Sequence, residues 1–304
     1  MPDSKYEINR NYIAAILIVF SLSAISFGQT GTLRKKINSI IEHADGKIGV
    51  AVINMEKPDT ILFNGNGHFP MQSVFKFPLA LAVLKDVDRG ILSLEQKIHI
   101  TKGDLLPNTW SPLREKHPDS NFDITLRDLL TITVTESDNN GCDILLRIVG
   151  GPAKVNQFVH SLGIKDIEIV VNEEEMHKDW MIQYKNWSSP AAMAMLLSKF
   201  AKDSIISAAG RNFLLNVMAA TKTGTKMIKG LLPAGTIVVH KTGTSGENKD
   251  GIAAATNDAG IVTLPNGRHF IIVIFVSDSR EHEDARYNII AKISRAAWDE
   301  FKID

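Results

Sequence analysis

Apolar positions along this chain form short strand-like runs near both ends and helical stretches in the middle. Near the start, Lys47 to Ile53 and Thr60 to Phe63 are short, β-branched apolar runs, which predict two strands across a turn containing Pro58-Asp59. Near the end, Ile237 to His240, Gly251 to Thr256, Gly260 to Val262 and His269 to Val276 predict further strands. Pro265-Asn266-Gly267 between the last two is a hairpin signal. A helix from Glu281 to Phe301 closes the chain, with Ile289, Ile290, Ile293 and Ala296-Ala297 on one side.

The middle carries helical signals instead. Phe77 to Leu84 is apolar enough for a buried helix, Thr125 caps a helix through Leu129-Leu130, and Pro190 opens another. Gly150-Gly151-Pro152 ends one helix and starts the next. Strands from both termini around a helical insert predict an α+β protein, one antiparallel sheet with helices hung from it. A site is then expected in the cleft between the two parts.

The N-terminus changes this picture only by an addition. Residues 13–27 form an apolar run behind Lys5 and Arg10, short for a membrane span, with small residues at Ser26 and Gly28. Residues 1–28 are read as a secretory signal cleaved near Gly28, leaving no stable membrane anchor. Lys plus Arg and Asp plus Glu both total 34, so no global field attracts nucleic acid, and none is expected as a partner. The single cysteine, Cys142, can form no internal disulfide and lies in an apolar helical run, where packing is its expected role. The nine histidines form no H-E-x-x-H motif or close ligand pair, so neither a metal nor another cofactor is expected.

Three separated motifs carry candidate chemistry. In Ser73-Val74-Phe75-Lys76 the two polar side chains are one helical turn apart on one face. A lysine there can take the serine proton where desolvation or a neighbouring cation favours its neutral form. In Ser137-Asp138-Asn139, Ser137 could pass a proton to a leaving nitrogen and Asn139 could orient a lysine and a substrate amide, while Asp138 ties backbone groups together. A polar helix cap before Asn140-Gly141 is the plainer alternative. In Lys241-Thr242-Gly243-Thr244, Lys241 would supply a positive charge for a substrate carboxylate. There Gly243 would allow close approach of substrate, and the Thr244 N–H would complete an oxyanion hole with that of Ser73. Lys222-Thr223-Gly224 repeats the triplet, but only the later copy follows an apolar strand run.

In order and context these motifs resemble those of the class A serine β-lactamases, and the resemblance spans nearly the whole mature chain. It implies a five-stranded antiparallel sheet flanked by terminal helices, formed from residues 29–68 and 229–304, with a helical domain over 69–228. It also implies a monomeric periplasmic enzyme acting on small-molecule β-lactams. Trp110-Ser111-Pro112 resembles the loop whose aromatic residue flanks the cleft, and Pro190 to Ala194 the helix after the Ω-loop. Within Val171-Asn172-Glu173-Glu174-Glu175-Met176-His177, aligning His177 and Asn186 with the family's loop puts Glu173 at the general base. The resemblance implies that Glu173 activates the deacylating water, with either Lys76 or Glu173 as the acylation base.

Departures from the pattern are informative. His177 stands where most class A enzymes have Asn, and is expected to hold the water or to pack. Val171 and Asn186 replace the usual loop-closing ion pair, as in a branch often active on extended-spectrum cephalosporins. The strand position that commonly carries an arginine for the substrate carboxylate falls near Asp250, with Thr244, Ser245 and Arg280 as compensators. Other readings are a D-Ala-D-Ala peptidase, an acylated sensor, or a glutaminase. Glu173 opposes the first, the lack of an output domain the second, and the Lys-Thr-Gly strand the third.

Overall fold

The computed structural model describes residues 31–57, 59–202 and 205–302. The leader read at residues 1–28 and Pro58 of the first turn lie outside the described residues. Helix α1 (residues 31–41) leads into β1 (Lys47–Asn54) and β2 (Thr60–Phe63). Next come β3 (Phe69–Pro70), a 3₁₀ turn (Gln72–Phe75), α2 (Lys76–Asp88), β4 (Lys97–Ile100), α3 (Pro112–Lys116) and β5 (Phe122–Thr125). Helices α4 (Leu126–Thr135), α5 (Asn139–Val149) and α6 (Pro152–Ser161) precede β6 (Ile167–Glu168), α7 (Glu173–Met176), a 3₁₀ segment (Trp180–Lys185) and β7 (Trp187–Ser188). Then follow α8 (Pro190–Lys202), α9 (Ala208–Ala219), β8 (Val238–Thr244), β9 (Thr256–Thr263), β10 (His269–Ser277) and α10 (Glu283–Phe301).

The principal sheet has the order β2-β1-β10-β9-β8 and every pairing in it is antiparallel. Its faces follow from the two-residue period of the strands. Ile48, Val50 and Val52 of β1 and Phe270, Ile272, Ile274 and Val276 of β10 pack with Leu33 and Ile37 of α1. Ile289, Ile290, Ile293 and Trp298 of α10 complete that core. The intervening Ala51, Ile271, Val273 and Phe275 belong to the opposite core, with α8 and the helices around α2. Each large side chain so buried stabilises the fold by about 1.5–3 kcal/mol, and a one-residue slip would exchange the two sets.

Helix α2 is the axis of the helical part: Lys76 to Leu84 are all buried, so it is covered on every side rather than amphipathic. The expected caps are present. The Thr125 hydroxyl accepts from Asp128 N ahead of α4, and Gly150 ends α5 in the left-handed region at φ 93°. The β9–β10 hairpin turns at Pro265-Asn266-Gly267, as its sequence predicts.

Three boundaries differ from the sequence reading. Gly251–Thr256 is not a strand: Asn248 Oδ1 accepts from Asp250 N and Ile252 N, a side-chain turn that competes with pairing. Only two isolated bridges, from Ala253 to Glu247 and to Ser279, remain there, and β9 begins at Thr256. Strand β8 runs beyond His240 to Thr244, because Lys241 to Thr244 continue the register with Ala259 to Thr256. Helix α10 starts at Glu283 instead of Glu281, since Asp45 and the Ser279 hydroxyl take the N–H groups of Arg280 and Glu281.

Candidate active site

The site lies where β8 meets the N-terminal end of α2. Ser73 is in the 3₁₀ turn, and Lys76 is the first residue of α2, so the two face each other across the junction. Lys76 Nζ donates to Ser73 Oγ at 2.9 Å, to Ser137 O at 2.9 Å and to Asn139 Oδ1 at 2.5 Å. It also lies 2.8 Å from Glu173 Oε1, with both side chains essentially without solvent exposure. This last contact is an ion pair outside hydrogen-bond geometry, so Glu173 Oε1 is buried without a hydrogen-bond partner. One ammonium thus joins all three middle candidates to the nucleophile.

Ser137 has φ 61°, a left-handed conformation that costs energy for a residue with a side chain. The cost is met by Asp138, whose buried carboxylate accepts from Ser111 Oγ, Leu113 N and Gly141 N and caps α5. Burial pushes the Asp138 carboxyl above its ordinary range, and those donors oppose the shift. The catalytic and capping readings of this motif therefore describe different residues of it: Asp138 caps, while Ser137 Oγ accepts from Lys241 Nζ at 2.9 Å. Asn139 is held by donating to Thr109 Oγ1 at 2.7 Å.

Lys241, fully buried on β8, also donates to Thr242 O at 2.9 Å. Burial, with Lys76 close by, pulls its ammonium down to about 7. Gly243 lines the cleft, and it has a packing role besides the expected one. A Cβ there would lie 2.4 Å from Met71 O and 2.9 Å from Ser73 N, so glycine lets β8 pack on the nucleophile's own turn. Asn257 of β9 clamps the same turn by donating to Pro70 O at 2.7 Å.

Glu173 enters the cleft from the N-terminus of α7. Asn172 caps that turn, with Glu175 reciprocating. Asp143 of α5 accepts from Glu173 N at 2.7 Å and from Glu174 N at 2.9 Å. Burial pushes the Asp143 carboxyl up to about 6. His177 Nδ1 donates to Glu173 O at 2.6 Å, so the ring braces the loop, and His177 also lines the cleft. The loop closes through Asn186 in place of an ion pair. Its Oδ1 accepts from Val170 N and Val171 N, and its Nδ2 donates to Val171 O at 2.8 Å.

These residues wall one cavity of about 640 Å³. Ser73, Ser137, Asn139, Glu173, His177, Thr242 and Thr244 line it, and Trp110 stands exposed at its edge, its indole N–H bonded to Glu136 O. Ser245 lines it too, but the expectation for Arg280 fails. Arg280 is exposed and absent from the lining, because its segment is tied outward to Asp45. Residues not singled out in the sequence also contribute. Gln72, at φ 46°, donates to Gln183 Oε1 at 2.5 Å, and Thr223 and Tyr287 form part of the wall. For Asp143 a signal existed: it is the acidic residue four after Asn139, on the same face of one helix.

A serine bonded to a buried lysine, beside a second lysine–serine pair and a buried carboxylate, defines a serine hydrolase that works through an acyl-enzyme. Comparison with known proteins makes the class specific. The Beta-lactamase enzyme family model matches residues 32–301, and the chain belongs to that family. Beta-lactamase VEB-1 of Pseudomonas aeruginosa is 46% identical over 96% of this chain and 98% of its own length. Extended-spectrum beta-lactamase PER-1 of the same organism is 40% identical over 94% of each chain. The crystal structure of a beta-lactamase from Chitinophaga pinensis superposes with a TM-score of 0.86 at 54% identity, covering 88% of this chain and 98% of that one. The protein is a class A serine β-lactamase with the α+β fold expected from its sequence.

Proposed function

We propose that the enzyme opens β-lactam rings in two steps on Ser73 and so confers resistance to these antibiotics. The supporting observation is the fourfold junction at Lys76 Nζ, which joins Ser73, Ser137, Asn139 and Glu173. Ser73 Oγ attacks the ring carbonyl, and its proton passes to Lys76 or through it to Glu173. The N–H groups of Ser73 and Thr244 hold the developing oxyanion. The C–N bond breaks, and the ring nitrogen takes the proton of Ser137 Oγ, which Lys241 holds in place; the proton taken from Ser73 passes on through Lys76 to Ser137 Oγ, leaving Glu173 ionised. Lys241 and Thr242 anchor the substrate carboxylate, Asn139 the side-chain amide, and Trp110 packs over the ring system.

In the second step Glu173 takes a proton from water, which attacks the acyl carbon; the ester C–O bond breaks and that proton passes through Lys76 to Ser73 Oγ, restoring the free serine. The Glu173 carboxylate, which lines the same cleft as Ser73, is the group such a water would meet. His177 acts by bracing the Glu173 carbonyl. PER-1 is named an extended-spectrum enzyme, and that name, with a loop here closed by Asn186 instead of an ion pair, supports the same substrate breadth for this chain. We read residues 69–228 as the helical domain between two sheet-forming pieces, and the protein as a periplasmic monomer released from a leader cut near Gly28. Intact mass after mixing with a penicillin, then with a cephalosporin, tests the reading. It requires a transient adduct on Ser73 that decays as ring-opened product accumulates. A persistent stoichiometric adduct would make the protein a peptidase or sensor.

A further inference from the structure

The second Lys-Thr-Gly triplet, at residues 222–224, packs directly against the first. Thr221 Oγ1 donates to His240 O at 3.0 Å, Lys222 N to Thr135 O at 2.8 Å, and Lys222 Nζ to Glu136 Oε1 at 3.0 Å. These bonds pin the segment between the end of α4 and strand β8. Gly224, at φ +70°, permits the contact: a Cβ there would lie 2.3 Å from Thr242 Cγ2. The result is a pair of hydroxyls, Thr223 Oγ1 and Thr242 Oγ1, 2.6 Å apart, both on residues lining the cleft.

Each hydroxyl has one proton, so only one of the two can donate to the other, and the second proton is left to point elsewhere. An anion beside Lys241 selects the direction. Thr223 then donates to Thr242, and Thr242 donates to the anion, each bond polarising the next. The need for such donors is clear from what surrounds them. None of the described residues lining the cleft is an arginine. Arg286 is buried with its guanidinium on Thr256, Glu247 and Glu281 O. Lys241 Nζ already donates to Ser137 Oγ and Thr242 O.

We propose that Thr223 is a positioning residue for the substrate carboxylate, turning the Thr242 hydroxyl into a directed donor where an arginine is lacking. The proposal rests on the reading that the Lys241–Thr242 end of the cleft receives that carboxylate. Three other bonds hold residues 221–222, so the Thr223 hydroxyl can be removed without freeing the segment.

The test compares Thr223→Val and Thr223→Ser with the parent on a cephalosporin and on its neutral methyl ester. For the free acid, Thr223→Val is expected to raise KM about 5- to 10-fold with kcat within about twofold, the scale of one hydrogen bond. The ester should show no such change, and Thr223→Ser should restore the parent KM. Equal losses on acid and ester would assign a merely structural role and overturn the proposal, as would no change on either. Lys241→Met, run on the same two substrates, separates the premises. If it leaves the acid-to-ester ratio untouched, the carboxylate is not read at this end and the underlying reading falls. If it collapses that ratio while Thr223→Val does not, only the role of Thr223 falls.

Discussion

Replacing Asp143 should slow release of the acyl group far more than its formation. Asp143 is not among the residues lining the cleft, yet its carboxylate accepts from the N–H groups of Glu173 and Glu174 at 2.7 and 2.9 Å. Hydrogen bonds to a charged acceptor contribute about 1.5–3 kcal/mol each. Glu174 is exposed, so its N–H regains water in Asp143→Ala, and the net loss at Glu173 is about 2–3 kcal/mol. Expressed wholly as lost placement of the Glu173 carboxylate, that is a roughly 30- to 150-fold slower deacylation. Asp143→Asn keeps one acceptor oxygen and should lose about tenfold. The assay is the time course of intact mass, in which acyl-enzyme should accumulate in both variants while the adduct forms at near-parent rate. Adduct formation slowed as much as its decay, or no change in either, would refute the reasoning. A second readout follows from the raised carboxyl, at about 6 against an ordinary 3.8. A raised folded-state value means that the folded protein binds this proton more tightly. The linked stabilisation is full below pH 3.8 and is lost as pH rises through 6. Going from pH 7 to pH 5 therefore adds about 1 kcal/mol from this group, a rise of about 3 °C in Tm that Asp143→Asn should lack.

Glu173→Gln should still acylate on Ser73 but hold the adduct, whereas Glu174→Gln, altering an exposed side chain, should turn over normally by the same mass measurement. The reverse result would place the loop register off by one. Asn186→Ala removes three hydrogen bonds from a fully buried position, and thermal unfolding should show a loss of about 2–4 kcal/mol. Because burial and Lys76 bring Lys241 down to about 7, the free enzyme loses this cation as pH rises through 7. The kcat/KM for carboxylate-bearing substrates should then fall on an alkaline limb near that pH, and a neutral ester should lack the limb.

How much of this was legible in the sequence depends on whether a residue acts through its neighbours in the chain or across space. Short β-branched apolar runs and the Pro265-Asn266-Gly267 turn report local geometry, so the sheet and its hairpin follow from them. The stretch 251–256 misled because Asn248 turns the backbone with its own side chain, a competition that apolar counting does not register. Ser73, Lys76, Ser137 and Lys241, which the structure brings together, could be singled out because each lies in a short motif tied to a fixed local shape. Arg280 was credited with a carboxylate role by chemical type alone, and its neighbour in space, Asp45, turns its segment away.

Gly243 and the second Lys-Thr-Gly triplet show where motif reading stops. Glycine at 243 reads in the sequence as room for a substrate; the position of Met71 O adds room for a backbone, which the motif does not report. The triplet at 222–224 was set aside for lacking a strand of its own, yet it lies against the strand of the other copy. Context separates the two lysines along a line that their contacts also follow: Lys241 reaches Ser137 while Lys222 is held on Glu136. It could not show that the discarded threonine would face the chosen one. A threonine's chemistry is set by the partner of its single proton, and that partner is 19 residues away in the chain and 2.6 Å away in space.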